Sequence, residues 1–148
     1  MRVEKDFKDF IALLNKNNVR YLIIGGYAYS YYAEPRYTKD IDLLIDPAED
    51  NAERILAAIR DFGFGDVKLT VQDFLEPGQV IQLGVAPLRI DLLTTIKGIR
   101  FTNAWDNRTT GQFGDIQAFF ISKQDLIKAK KASKRKQDLA DVEKLEKI

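Results

Sequence analysis

Apolar residues at Phe7, Phe10, Ile11 and Leu14 recur at the interval of one helix face. They predict a first amphipathic helix that stops at Asn17-Asn18. The next run, Val19 to Ile24, is short, continuous and β-rich, and reads as a buried strand entering a turn at Gly25-Gly26. Tyr27 to Ala33 predicts a short helix cut off by Glu34-Pro35, because the residue before a proline avoids the helical region. A second strand is expected over Thr38 to Asp46, closed by Pro47. A helix over Ala48 to Phe62 follows, with an Ile55-Ile59-Phe62 stripe and a stop at Gly63. Extended pieces are expected at Val67 to Val71, Val80 to Leu83, Leu88 to Thr95 and Ile116 to Ile121. Ser122 with Asp125 three residues on resembles a helix start, with Asp in place of the usual Glu or Gln. Two charged helices then run over Lys123 to Ala132 and Lys136 to Lys147. Mixed helices and strands without repeats or linkers predict one α/β (α+β) domain over residues 1–148, with a basic helical segment at 122–148.

The chemistry open to this chain is narrow. Its 148 residues contain no cysteine and no histidine. That removes disulfides, thiolate nucleophiles, Ser-His triads and the common zinc sites. Oxygen ligands remain, and they suit Mg²⁺ or Mn²⁺. The 23 basic and 22 acidic residues nearly cancel, so bulk charge does not point to nucleic acid. Met1 to Asp6 is too charged for a signal peptide, and no apolar run approaches the roughly 20 residues that span a bilayer. The expected location is the cytoplasm, without a membrane partner.

Three acids break the apolar pattern. Alternation along Thr38-Lys39-Asp40-Ile41-Asp42-Leu43-Leu44-Ile45 sends Asp40 and Asp42 to one face of the strand. Asp is depleted in strands, and an isolated Asp-x-Asp is most often a solvated edge pair. Here the neighbours Ile41, Leu43, Leu44 and Ile45 suggest a central strand, where like charges are costly without a cation between them. Asp91 repeats the anomaly inside Ile90-Asp91-Leu92-Leu93. Three such carboxylates are what two-metal phosphoryl or nucleotidyl transfer requires. Gly25-Gly26 reads either as a plain strand-to-helix turn or as a place where backbone N–H groups approach phosphate. It has neither the Walker A nor the dinucleotide-binding spacing.

Gly25-Gly26-Tyr27-Ala28, then Arg36-Tyr37-Thr38-Lys39-Asp40-Ile41-Asp42, then Asp91, resembles the signature of the polymerase-beta-like nucleotidyltransferase superfamily. The tail, with Lys130, Arg135, Asp138 and Asp141, is similar to that of its small bacterial abortive-infection and minimal-nucleotidyltransferase members. The resemblance implies a mixed twisted sheet carrying the acidic triad, with helices packed on one side. It implies that Gly25 and Gly26 hold the triphosphate and that Thr38 and Lys39 border the nucleotide. Asp40, Asp42 and Asp91 become metal ligands and catalytic residues, Asp91 being the base. The implied reaction is Mg²⁺- or Mn²⁺-dependent transfer of a nucleoside monophosphate from a nucleoside triphosphate to a hydroxyl on a protein, a tRNA or a small molecule. A helical partner in a toxin–antitoxin pair is the implied context. The alternatives are a non-catalytic nucleotide- or toxin-binding module, and a nuclease built on the same acids.

Six cations crowd the tail between Lys128 and Lys136. Most read as a solvated helix end. Lys130 is the candidate phosphate contact, a point charge on a flexible stem. Asp138 and Asp141 read as helix-surface partners of Lys134 and Lys144, or as a clamp on Arg135. Tyr27, Tyr29, Tyr31 and Tyr32 read chiefly as packing residues, one of them a candidate for stacking on a base. Phe101 and Trp105 are expected to anchor a loop.

Overall fold

The computed structural model describes residues 1–64, 68–84 and 88–148. Its strands are β1 (Tyr21–Ile24), β2 (Asp40–Ile45), β3 (Val80–Leu83), β4 (Arg89–Leu93), β5 (Thr109–Phe113) and β6 (Ile116–Phe120). Its helices are α1 (Lys5–Lys16), α2 (Gly25–Tyr32), α3 (Glu49–Asp61), α4 (Phe101–Asp106), α5 (Lys123–Ser133) and α6 (Lys136–Glu146). The strands form one mixed sheet in the order β3-β4-β2-β1-β6-β5. β2 lies parallel to β4 and antiparallel to β1, so both acid-bearing strands are interior.

The helical stripe of α1 is fully used. Phe7, Phe10, Ile11 and Leu14 are all buried, each stabilising the fold by about 2 kcal/mol relative to exposure. Along β2, Ile41 and Leu43 are buried in the core while Asp40 and Asp42 take the opposite side, as alternation requires. Buried Asn51 on α3 accepts from Arg20 N at 2.8 Å and donates to the carbonyls of Arg20 and Asp46 at 3.1 and 2.9 Å. One amide thus locks α3 to the ends of β1 and β2. Ser122 caps α5 through a hydrogen bond from Asp125 N at 3.1 Å, as the spacing predicts.

Several expectations are corrected. The short helix starts at Gly25, not Tyr27, so the two glycines belong to its first turn. The piece expected to be extended over Val67 to Val71 is not a strand where it is described. Val71–Phe74 is a 3₁₀ turn, held by Thr70 N donating to Asp73 Oδ2 at 2.7 Å, and Val67 lies outside the described residues. Phe101 and Trp105 stand on a helix, α4, stacked at 5.8 Å, with Trp105 edge-on to Phe119 at 5.2 Å. β5 had no forecast, because Thr-Thr-Gly-Gln-Phe lacks an apolar alternation. It is an edge strand, and Gly111 leaves room there for the Tyr31 ring.

Candidate active site

The register of the central strands brings the predicted acids together. Asp42 pairs with Asp91 across the parallel β2–β4 ladder, and Asp40 pairs with Arg89. On the other side of β2, Asp42 faces Ile24, the residue that leads into α2. Gly25 follows with a φ of 67°, a conformation that favours glycine. A Cβ at Gly25 would collide with Asp42 Oδ2. The glycine is therefore required twice, by its backbone and by the carboxylate pressed against it. Gly26 plays a second part, since a Cβ there would sit 3.3 Å from Thr38 Oγ1. Thr38 itself donates to Asp40 O at 2.8 Å and shapes the entry into β2.

Arg89 is the residue that sequence reasoning missed. Its Nη2 donates to Asp40 Oδ2 at 2.9 Å, and its Nε to Asp91 Oδ1 at 3.1 Å. It was legible in principle, because a residue two before Asp91 on a strand shares its face. Asp42 takes no hydrogen from it. Burial, then the charges of Asp91 and Asp40, push the Asp42 carboxyl up to about 6 from an ordinary 3.8, against the opposing pull of Arg89.

Among the described residues, no group of three or more acidic side chains forms a ready-made metal cage. The guanidinium of Arg89 instead bridges Asp40 and Asp91. The donor set nevertheless fits a hard divalent ion. It is all carboxylate oxygen on one face of two neighbouring strands, with like charges close enough to raise the Asp42 pKa.

Asp42 and Gly25 open onto a cavity of about 430 Å³. Ile24 lies beside them, Leu126, Ala129, Lys130 and Ser133 of α5 form the opposite wall, and Thr95 to Lys97 close a third side. Of the predicted residues, Gly25, Asp42 and Lys130 meet at this cavity. Thr38 faces a second hollow of about 280 Å³ with Tyr27, Arg36 and Tyr37. Lys39 is exposed, and its carbonyl accepts from Arg89 N at 3.2 Å.

The tail differs from a solvated helix surface. Asp138 and Asp141 are buried, and their partners are Lys130 and Arg36 rather than Lys134 and Lys144. Lys144 reaches Glu34 instead. The clamp on Arg135 is present, with Nε 3.0 Å from Asp138 Oδ2. The tyrosines are packed. Tyr31 stacks on Phe120 at 4.1 Å, Tyr32 donates to Ile121 O at 2.7 Å, and Tyr27 meets Phe7 and Phe113 edge-on.

An interior Asp-x-Asp strand, a third acid beside it and a glycine-opened helix against them define the nucleotidyltransferase class. The chain belongs to the family described as nucleotidyltransferase of unknown function (DUF6036), whose model matches residues 2–147. Among solved structures it is similar to the lincomycin-bound crystal structure of the lincosamide antibiotic adenylyltransferase LnuA. That similarity has a TM-score of 0.59 at 14% identity, and covers 97% of this chain and 96% of the other. No curated protein sequence matches the chain. The superfamily and the mixed α/β fold expected from the sequence are thus borne out. Among the described residues, no helix is long and apolar enough to cross a membrane.

Proposed function

We propose that this protein transfers a nucleoside monophosphate from a nucleoside triphosphate to a hydroxyl of a small molecule, and releases pyrophosphate. The observation that carries the reading is Asp42, paired in register with Asp91 and pressed against Gly25 at the start of α2. Asp40, Asp42 and Asp91 would hold Mg²⁺ or Mn²⁺, which when bound neutralises charge on the triphosphate. The N–H groups of the first turn of α2, opened by Gly25 and Gly26, bind phosphate oxygens, with Thr38 and Lys39 at the border of that site. Lys130 stands in the opposite wall, its ammonium held by Asp138 and Asp141. The acceptor oxygen forms a bond to the α-phosphorus as the bond to the pyrophosphate oxygen breaks, and Asp91 takes the hydroxyl proton. Catalysis rests on positioning and charge neutralisation.

A cavity of about 430 Å³ is the size of a drug-like ligand's site. The similarity to a lincosamide adenylyltransferase supports a small hydroxylated acceptor over a macromolecule. A non-catalytic nucleotide-binding module is the second reading, favoured by one observation: Arg89 already satisfies Asp40 and Asp91. The two separate on turnover. Incubation with α-labelled triphosphates, Mn²⁺ or Mg²⁺ and a panel of hydroxylated small molecules is expected to give a labelled adduct and pyrophosphate, both lost in Asp42→Asn. Nucleotide binding without pyrophosphate under any of these conditions would favour the binding module.

A further inference from the structure

Lys130, Asp138 and Asp141 are 8%, 7% and 2% exposed, three charges withdrawn from water at the meeting of α5 and α6. Such burial is costly unless the partners are complete. Here they are. Asp141 accepts two hydrogen bonds from the Arg36 guanidinium at 2.9 and 2.6 Å, one from Lys130 Nζ at 2.9 Å and one from Gln137 at 3.2 Å. Asp138 accepts from Lys130 at 3.2 Å, from Ser133 Oγ and from Arg135 Nε. Arg36 is pinned in turn, its N–H donating to Ser30 Oγ at 3.1 Å and its guanidinium lying 3.9 Å over the Tyr29 ring. The network joins α2, the segment leading into the Asp-x-Asp strand, and the C-terminal helix pair.

Its two ends differ in place. Lys130, Ser133, Arg135 and Asp138 line the cavity in front of Asp42, whereas Arg36 and Asp141 do not. Two carboxylates hold the Lys130 ammonium, while among the described residues the Arg135 side chain is tied by Nε alone and is 78% exposed. We propose that Arg36, Lys130, Asp138 and Asp141 form a buried brace that sets the α5–α6 pair as the far wall of the active-site cavity. Arg36 and Lys130 are then positioning residues for the nucleotide, a role that rests on the nucleotide-transfer reading.

The test uses Arg36, because it does not line the cavity in front of Asp42 and borders only the second hollow beside Thr38. Arg36→Met, confirmed folded by circular dichroism, is expected to bind ATP with Mn²⁺ about ten-fold more weakly than wild type. Amide exchange should quicken in α5 and α6, with Mn²⁺ affinity measured alone unchanged. Arg36→Lys keeps the charge and loses the two-pronged contact. It should fall between the two, and it serves as the test variant if Arg36→Met does not fold. A lower melting temperature with unchanged ATP affinity and unchanged exchange in α5–α6 would reduce the network to an ordinary structural ion pair and overturn the brace. Failure of the wild type to bind any nucleotide would overturn the nucleotide reading instead. Exchange in α5–α6 would then decide the brace alone, faster in the variant if it exists and unchanged if it does not.

Discussion

At the scale of single residues, Gly25 and Gly26 look alike in the sequence and are unlike in space. Gly25 has the left-handed φ and the Asp42 carboxylate where its side chain would be, while a Cβ on Gly26 would first meet the Thr38 side chain, at 3.3 Å. Gly25→Ala should therefore destabilise the fold by about 1–2 kcal/mol from backbone strain alone. It should also displace Asp42 and abolish transfer. Gly26→Ala gains helix propensity against a tight but adjustable contact, and its stability should change by less than about 1 kcal/mol. Melting curves and turnover of the two variants check this. Equal losses in both would mean that the collision with Asp42 is not what the glycine avoids.

Among the elements, α5 and α6 show most clearly how a charge pattern misleads. Helical spacing puts Asp138 and Asp141 near Lys134 and Lys144, or in a clamp on Arg135, and of these the Asp138–Arg135 contact is the one that forms among the described residues. The turn at Lys134, with a φ of 60°, folds α6 back so that both acids meet Lys130. Lys130→Met in this setting removes one member of a buried network and should cost about 3 kcal/mol in urea unfolding. The double variant Lys130→Met with Asp138→Asn should lose less than the sum of the single changes, because it removes a cation and an anion together. Additive losses would mean that the two side chains act independently. The partnership with Arg36 lies 105 residues away in the chain, and no periodicity could have shown it.

For the whole molecule, the two carboxylates that shift furthest, Asp42 and Asp141, move in opposite directions and give stability a signed dependence on pH. Asp42 is raised from 3.8 to about 6, so between those values the folded state holds a proton that the unfolded chain has lost. Metal-free protein should therefore gain up to about 3 kcal/mol as pH falls from 7 to 4. Asp141 behaves oppositely. Burial would raise it, but hydrogen bonds from Arg36 and Lys130 and their charges win and hold it at about 2. Its contribution, about 2 kcal/mol, is present above pH 4 and is lost as pH falls toward 2. Thermal melts without metal should peak near pH 4–5, and Asp42→Asn should flatten the rise between pH 7 and 5. A wild-type profile that falls steadily from pH 7 downward would contradict the assigned Asp42 environment.

The sequence by itself determined what alternation and spacing can carry: the α1 stripe, the interior strands, the shared face of Asp40 and Asp42, and the break at Gly25-Gly26 after β1. These are local rules of period 2 and 3.6, and the chain obeys them whatever it packs against. The tertiary structure decided the rest. Parallel register put Asp91 beside Asp42, since a slip of one residue would have turned it to the other face. The same register placed Arg89 opposite Asp40, where its guanidinium bridges two acids that the sequence left as neighbours in pattern only. Contacts between distant segments carry no periodic signal, and for that reason the cavity wall, the reach of Arg89 across to Asp40 and the Arg36–Asp141 pair emerge only from the folded chain.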